Sequence, residues 1–275
     1  MKLRVFLTLC LVLAVTCCAR AEDRLTLDGT VEQGGLLRGR TEPGAKLALN
    51  GAPIRVAPDG RFILGFDRDA PEHATLTVSF ADGITVTRDI AVERRHYDIQ
   101  RIAGLPQAMV TPDPALLERI GKENEEVQHA RASDSDTLFF EEPFQWPALG
   151  PISGVYGSQR ILNGEARAPH LGTDIAAAPG TPIVAAGRGT VTLAEPDLYL
   201  TGGTVIIDHG YGLSTTYLHM ATVEVKQGQD VQQGERIGTV GATGRATGPH
   251  LHWGINWYQI HLDPQLIAGP MPKQE

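Results

Sequence analysis

The apolar residues of this chain come in short runs, each closed by a turn suited to glycine, and that punctuation restricts it to a mainly β architecture. Thr181-Pro-Ile-Val-Ala, Gly203-Thr-Val-Ile-Ile-Asp and Arg236-Ile-Gly-Thr-Val are examples; such runs are short for amphipathic helices and right for strands. Nearer the N-terminus, Thr75 to Phe80 alternates, with Leu76, Val78 and Phe80 on one face, and Ile84 and Val86 resume the pattern after Asp82-Gly83. Leu47-Ala-Leu49 and Ile54-Arg-Val56 flank Asn50-Gly51 in the same way, and Asp59-Gly60 precedes Arg61-Phe-Ile-Leu64. Asn-Gly and Asp-Gly supply the positive φ angles of tight hairpins. Residues 22–95 therefore read as a small β-sandwich and residues 143–269 as a second, mostly antiparallel β domain.

Between them, residues 96–142 read as a connector with one helix. Asp113 is the expected cap and Pro114 the first-turn residue, and Leu116, Leu117, Ile120 and Val127 follow at helical spacing.

Residues 1–21 have the form of a secretory signal. Lys2 and Arg4 precede an apolar stretch from Val5 to Cys18, and Ala19-Arg-Ala21 supplies a small-x-small cleavage pattern. The stretch is short for a bilayer span, and no later segment is apolar enough to cross one. All three cysteines (Cys10, Cys17, Cys18) lie inside this leader. Cys17 or Cys18 as a lipid-attachment site is the competing reading, disfavoured by Thr16 and Cys17 in the preceding positions. The processed chain then has neither disulfide nor thiolate ligand, so its stability rests on core burial and any metal on His, Asp or Glu. The chain has 24 Lys and Arg against 32 Asp and Glu; losing Lys2, Arg4 and Arg20 leaves 21 against 32, a net charge of −11. That excess of acid argues against nucleic-acid binding. The expected location is outside the cytoplasmic membrane, periplasmic or wall-associated.

Three histidine clusters stand in the second domain: His170-Leu-Gly-Thr-Asp174, Tyr217-Leu-His219 and Gly248-Pro-His250-Leu-His252-Trp253. In a strand, residues two apart share a face, so His250 and His252 project into one space. Two imidazoles side by side suit a divalent metal, and His170 with the Asp174 carboxylate completes the neighbourhood. Two His and one Asp leave a fourth position for water, the pattern of a catalytic rather than a structural site.

Residues 146–265 resemble the LytM/lysostaphin-type zinc metallopeptidase domain. The stretches that carry the likeness are Pro169-His-Leu-Gly-Thr-Asp-Ile175, Asp208-His-Gly-Tyr-Gly-Leu-Ser-Thr-Thr-Tyr-Leu-His219, Val231-Gln-Gln-Gly-Glu-Arg-Ile-Gly238 and Gly241 to Trp253. The resemblance implies a partly open antiparallel sheet with its site in a groove. It also implies Zn²⁺ held by His170, Asp174 and His252, with His219 and His250 as unliganded catalytic histidines. The implied activity is hydrolysis of peptidoglycan stem-peptide cross-links. Some relatives lack ligands and instead activate other wall hydrolases, whereas all five positions are filled here. A non-catalytic regulator of a wall amidase remains the rival reading, and a wall-binding role for the N-terminal sandwich a third. The N-terminal region weakly resembles bacterial immunoglobulin-like modules.

The remaining histidines, His73, His96, His129 and His261, lack partners at ligand spacing and are expected to be solvated or structural. His209 is expected on the groove wall or behind the ligands. Trp253 is expected to pack, and Arg160 and Asn163 are loop candidates for substrate contact.

Overall fold

The computed structural model describes residues 24–102, 114–162, 164–166 and 168–273. The expected export leader, the expected Asp113 cap and Asn163 lie outside the described residues. The chain forms two compact units. One comprises residues up to Glu32 with Leu36–Leu64 and Ala70–Arg94; the other comprises Gln33–Gly35, Gly65–Asp69 and everything from Arg95 onward.

The first unit holds two antiparallel sheets. Strands β1 (Thr26–Gly29), β2 (Leu36–Arg40) and β5 (Arg61–Gly65) make one, in the order β1-β2-β5. Strands β3 (Lys46–Leu49), β4 (Ala52–Ile54), β6 (His73–Ser79) and β7 (Thr85–Ala91) make the other, ordered β4-β3-β6-β7. Alternation does what it should: Leu76, Val78 and Phe80 are buried, as are Leu47, Phe62 and Ile90. At the β3–β4 turn Asn50 and Gly51 take φ of 50° and 83°, the two positive angles a two-residue hairpin requires.

The second unit is built on a ten-stranded sheet. Its main path runs β17 (Asp230–Val231), β14 (Gly189–Leu198), β15 (Gly202–Asp208), β16 (Leu213–Val223), β19 (His250–Trp257), β12 (Thr173–Ala176) and β9 (Ile152–Gly154). Off that path β18 (Arg236–Val240) joins β16 to β13 (Pro182–Val184), and β20 (Ile260–Leu262) pairs with β19. All these pairings are antiparallel. A small separate sheet pairs β10 (Gln159–Leu162) antiparallel with β11 (Glu165–Ala166) and parallel with β8 (Ile99–Ile102). A short helix α2 (Pro264–Ala268) follows β20, capped by the Asp263 carboxylate.

Helix α1 (Pro114–Arg131) belongs to this unit. Its Val127 and Ala130 pack on Leu193, Leu198 and Ile206, so β15, buried along its whole length, is covered on the α1 side as well as the core side. The inward stripe of α1 runs through Leu116, Ile120, Glu123, Val127 and Ala130. Leu117, read from the sequence as part of that stripe, is 51% exposed, because it lies about 100° round the helix from Leu116, at the edge of the stripe. Glu123 takes a place in the stripe by accepting hydrogen bonds from Arg119 and from the Tyr199 backbone N–H. Among the described residues, no helix is long and apolar enough to cross a membrane.

Candidate metal centre

Two neighbouring strands place the first donors. Asp174 on β12 and His252 on β19 are direct cross-strand partners, with Ala176 opposite His250 two pairs further on. Directly opposed residues share a sheet face, so Asp174, His250 and His252 project together. The other face carries Leu251, Trp253 and Ile255, all fully buried; Trp253 packs against Trp146 with ring centroids 5.4 Å apart. The alternation that buries the core face is what presents the two histidines on the opposite one.

His170 arrives from the loop before β12. Its backbone is pinned on both sides: the Gly157 N–H donates to its carbonyl at 2.7 Å, and its own N–H donates to the Ser158 carbonyl at 2.7 Å. His170 Nε2, Asp174 Oδ1 and His252 Nδ1 then stand 2.9 to 3.0 Å from one another. These three residues form a group able to hold a metal ion. Their chemistry fits one. Two imidazole nitrogens and a carboxylate oxygen suit a divalent borderline ion, and a tetrahedral ion about 2.1 Å from each donor spaces them roughly 3.4 Å apart. The observed spacing is a few tenths of an ångström tighter. The tautomer fits as well. His170 Nδ1 is 3.0 Å from the Val155 carbonyl, which only accepts, so Nδ1 carries the proton and Nε2 offers its lone pair to the cluster.

Two glycines make room for this geometry. A Cβ on Gly154, which faces Asp174 from β9, would lie 2.3 Å from Asp174 Oδ2, and one on Gly172 would lie 2.6 Å from His252 Nε2.

His219 and His250 stand beside the cluster, with ring centroids 4.8 Å apart, and His219 is 6.3 Å from the His252 ring. His219 is reached through an irregular stretch of β16, where pairing to β15 and β18 shifts register and the residue takes φ of 63°. That left-handed conformation is strained for a residue with a Cβ; it is held by His219 N–H donating to the Thr201 carbonyl at 2.8 Å. Its Nδ1 donates to the Thr243 carbonyl at 2.9 Å, and His250 Nδ1 donates to the Gly248 carbonyl at 2.8 Å. Each Nδ1 is thus occupied, and His250 Nε2 points toward Asp174 Oδ1 at 3.7 Å.

Electrostatics separate the groups. Burial works to raise the Asp174 carboxyl, but its contacts with the His170 and His252 imidazoles hold it well below the usual carboxylate range. Burial lowers His219 to about 4 and also lowers His252. His219 is therefore a neutral imidazole at pH 7.

His209 is not on this face. It is completely buried, its Nδ1 2.7 Å from the Arg188 carbonyl and its Nε2 2.9 Å from Thr215 Oγ1. Thr215 and Tyr217 point to the core side of β16, so the expected groove-wall position is corrected to a place inside the domain. Among the other histidines, His73 is exposed and pairs with Asp89, and His96 and His129 are exposed. His261 is half-buried, and its Nδ1 meets Asn256 Nδ2 at 2.9 Å. Arg160 lies on β10 opposite Gln100. The residues that sequence reasoning passed over are the carbonyl partners Val155, Thr243 and Gly248 and the two space-making glycines. Any residue offers a carbonyl, so no residue type signals the first three.

Residues 168–264 match peptidase family M23. The peptidoglycan DD-endopeptidase ShyA of Vibrio cholerae is 49% identical over 115 residues, 39% of this chain and 26% of that protein. The cell division protein DipM of Caulobacter vibrioides is 34% identical over 127 residues, 46% of this chain and 20% of that protein. The chain thus spans about a quarter or less of the length of these relatives. A crystal structure from Pseudomonas aeruginosa, described as an M23 peptidase, superposes with a TM-score of 0.65 at 29% identity, covering 87% of this chain and 96% of that one. The stretch that is similar to peptidase family M23, residues 168–264, contains the whole histidine–aspartate cluster.

Proposed function

We propose that this protein is an exported, zinc-dependent endopeptidase that hydrolyses peptide cross-links of bacterial peptidoglycan. The observation that carries the reading is the convergence of His170, Asp174 and His252 on one point, with two further imidazoles on the same face. Relatives such as the peptidoglycan DD-endopeptidase ShyA support the substrate class. In this reading residues 1–21 are removed on export, residues 22–95 and 96–142 form the accessory module and connector, and residues 143–269 act on the wall outside the cytoplasmic membrane.

His170, Asp174 and His252 are the assigned zinc ligands, and a zinc ion there would polarise the scissile carbonyl and lower the pKa of water toward neutrality. The chain's own groups do the rest. Neutral His219, its Nδ1 committed to Thr243, presents a basic Nε2 that can take a proton from the attacking water. His250, fixed through Gly248, presents the second Nε2, which once protonated can donate to the developing oxyanion or pass its proton to the leaving amine. Val155 holds the His170 tautomer throughout.

The test is to incubate the purified, leaderless protein with defined cross-linked wall peptides and identify products by mass spectrometry. Separated stem peptides are expected, and their loss on chelation and return with zinc. A zinc-loaded protein that leaves every cross-link intact would overturn the enzymatic reading in favour of a regulator.

A further inference from the structure

One turn, residues 155–158, holds His170 from outside the cluster. The Val155 carbonyl accepts from His170 Nδ1 and from Ser158 Oγ, each at 3.0 Å. The Gly157 N–H donates to the His170 carbonyl, and the Ser158 carbonyl accepts from the His170 N–H, both at 2.7 Å. The turn stands at the rim of the metal-bearing sheet. It leaves β9, the last strand of the main path, and leads into β10, which belongs to the small separate sheet. The ladder that fixes Asp174 against His252 therefore stops short of it, and its position depends on what packs around it.

Two ends of the turn are tied down by other contacts: the buried Tyr156 donates its hydroxyl to the His261 carbonyl at 2.8 Å, and the Gln159 N–H donates to the Asp98 carbonyl at 2.9 Å. Gly157, between them, is held by side chains from two distant segments. Both segments, residues 65–69 and the start of the connector, belong to the same compact unit as the cluster. Arg68 Nε donates to the Gly157 carbonyl at 2.7 Å, with its side chain largely enclosed. The Tyr97 ring lies so close that a Cβ on Gly157 would fall 2.0 Å from Tyr97 Cδ1. The Arg68 guanidinium in turn covers that ring, 4.5 Å from its centroid. Gly157 thus joins the two sides, its N–H holding His170 while its carbonyl is held by Arg68. Asp69 also pairs with Arg68 at 2.6 Å, but that carboxylate is 76% exposed, and such pairs contribute little.

We infer that Arg68 is a positioning residue for His170: through the Gly157 carbonyl it fixes the turn that aims His170 Nε2 at Asp174 Oδ1 and His252 Nδ1, and the Tyr97 ring keeps its guanidinium in place. The inference rests on the metal reading of that cluster, and on no particular substrate. Arg68 and Tyr97 both lie outside residues 168–264, the stretch similar to family M23, so part of the metal site's precision is supplied from beyond it. A hydrogen bond from a charged donor is among the stronger ones. Removing the partner directly behind a metal-ligating imidazole typically weakens the metal about 10- to 100-fold. Arg68 acts one contact further back, so the lower end of that range applies.

The experiment uses the full processed chain and three measurements: zinc affinity by competition with a fluorescent chelator, the visible spectrum of the cobalt(II)-loaded protein, and the Tm of the metal-free protein. Arg68→Met keeps an apolar stem over Tyr97 and removes the donor; Arg68→Lys keeps a cation able to reach the carbonyl. Arg68→Met is expected to weaken zinc about 10-fold and to shift the cobalt bands, which report donor geometry, while the metal-free Tm changes little. Arg68→Lys should recover most of the affinity and the wild-type spectrum, and Asp69→Asn should leave both unchanged. A merely structural Arg68 would lower the metal-free Tm and leave affinity and spectrum as in wild type. That result overturns the inference, as does an Arg68→Lys no better than Arg68→Met. Should Arg68→Met not fold, Arg68→Gln, polar but too short for the carbonyl, takes its place, with the same loss expected and wild-type affinity overturning the inference. A wild type that takes up neither zinc nor cobalt would sink the metal reading and the inference with it, whereas a loaded wild type matched by Arg68→Met sinks the inference alone.

Discussion

Gly154→Ala tests the metal centre without touching a donor atom. The added Cβ would lie 2.3 Å from Asp174 Oδ2, 2.9 Å from its Cγ and 3.1 Å from its Cβ. Non-bonded carbon and oxygen atoms settle at roughly 3.3 Å or more, so the carboxylate must retreat by about 1 Å. Asp174 has one short side chain and is paired backbone to backbone with His252, so the retreat rotates Oδ1 away from His170 Nε2 and His252 Nδ1. All three donors survive and their convergence does not. Displacing a ligand's support typically weakens metal affinity about 10- to 100-fold. The assay is zinc affinity by competition with a fluorescent chelator, beside a thermal melt of the chelated protein to show that the fold persists. Wild-type affinity in Gly154→Ala would refute the claim that Asp174 Oδ1 works from the observed position.

Three other outcomes follow from particular contacts. His209, lowered by burial to about 4 from 6.5, takes up its proton more readily when unfolded, so stability is full above pH 6.5 and declines as pH falls toward 4, by about 3 kcal/mol. Urea titrations in chelator at pH 7 and 4 should show a shallower loss for His209→Gln, and parallel losses would contradict the assignment. A fragment starting at Pro143 lacks Val127 and Ala130 over Leu193, Leu198 and Ile206, and should be less stable than one starting at Arg95 by roughly 2–4 kcal/mol; equal denaturation midpoints would contradict the packing. Phe62→Ala empties a fully buried ring position of the first unit and should cost it about 3–5 kcal/mol. A calorimetric scan should show that loss, and an unchanged scan would contradict the assigned core.

What the sequence disclosed follows the reach of local rules. Asn50-Gly51 announces its hairpin because only certain residues tolerate two positive φ angles in succession. His250 and His252 announce a shared face because strand geometry has a period of two. Leu117 misleads because four apolar residues do not by themselves fix which one drifts off a helical stripe. His209 misleads because its place depends on whether β16 turns Thr215 toward the groove or the core, which neighbouring strands decide. The left-handed turn at His219 and the parallel pairing of β8 with β10 are products of tertiary packing. No short window of sequence contains both partners of that pairing.

The most direct measurement compares zinc content and cleavage rate in His252→Ala, His250→Ala and His219→Ala at one pH. His252 and His250 are two residues apart on one face of β19, but only His252 reaches Asp174 Oδ1 at 2.9 Å. The account predicts that His252→Ala loses both metal and activity. His250→Ala and His219→Ala should each keep about one zinc per chain while turnover falls on the order of 10²–10⁴-fold. An empty His250→Ala beside a loaded His252→Ala would reverse the ligand assignment, and full activity in all three would contradict the peptidase itself.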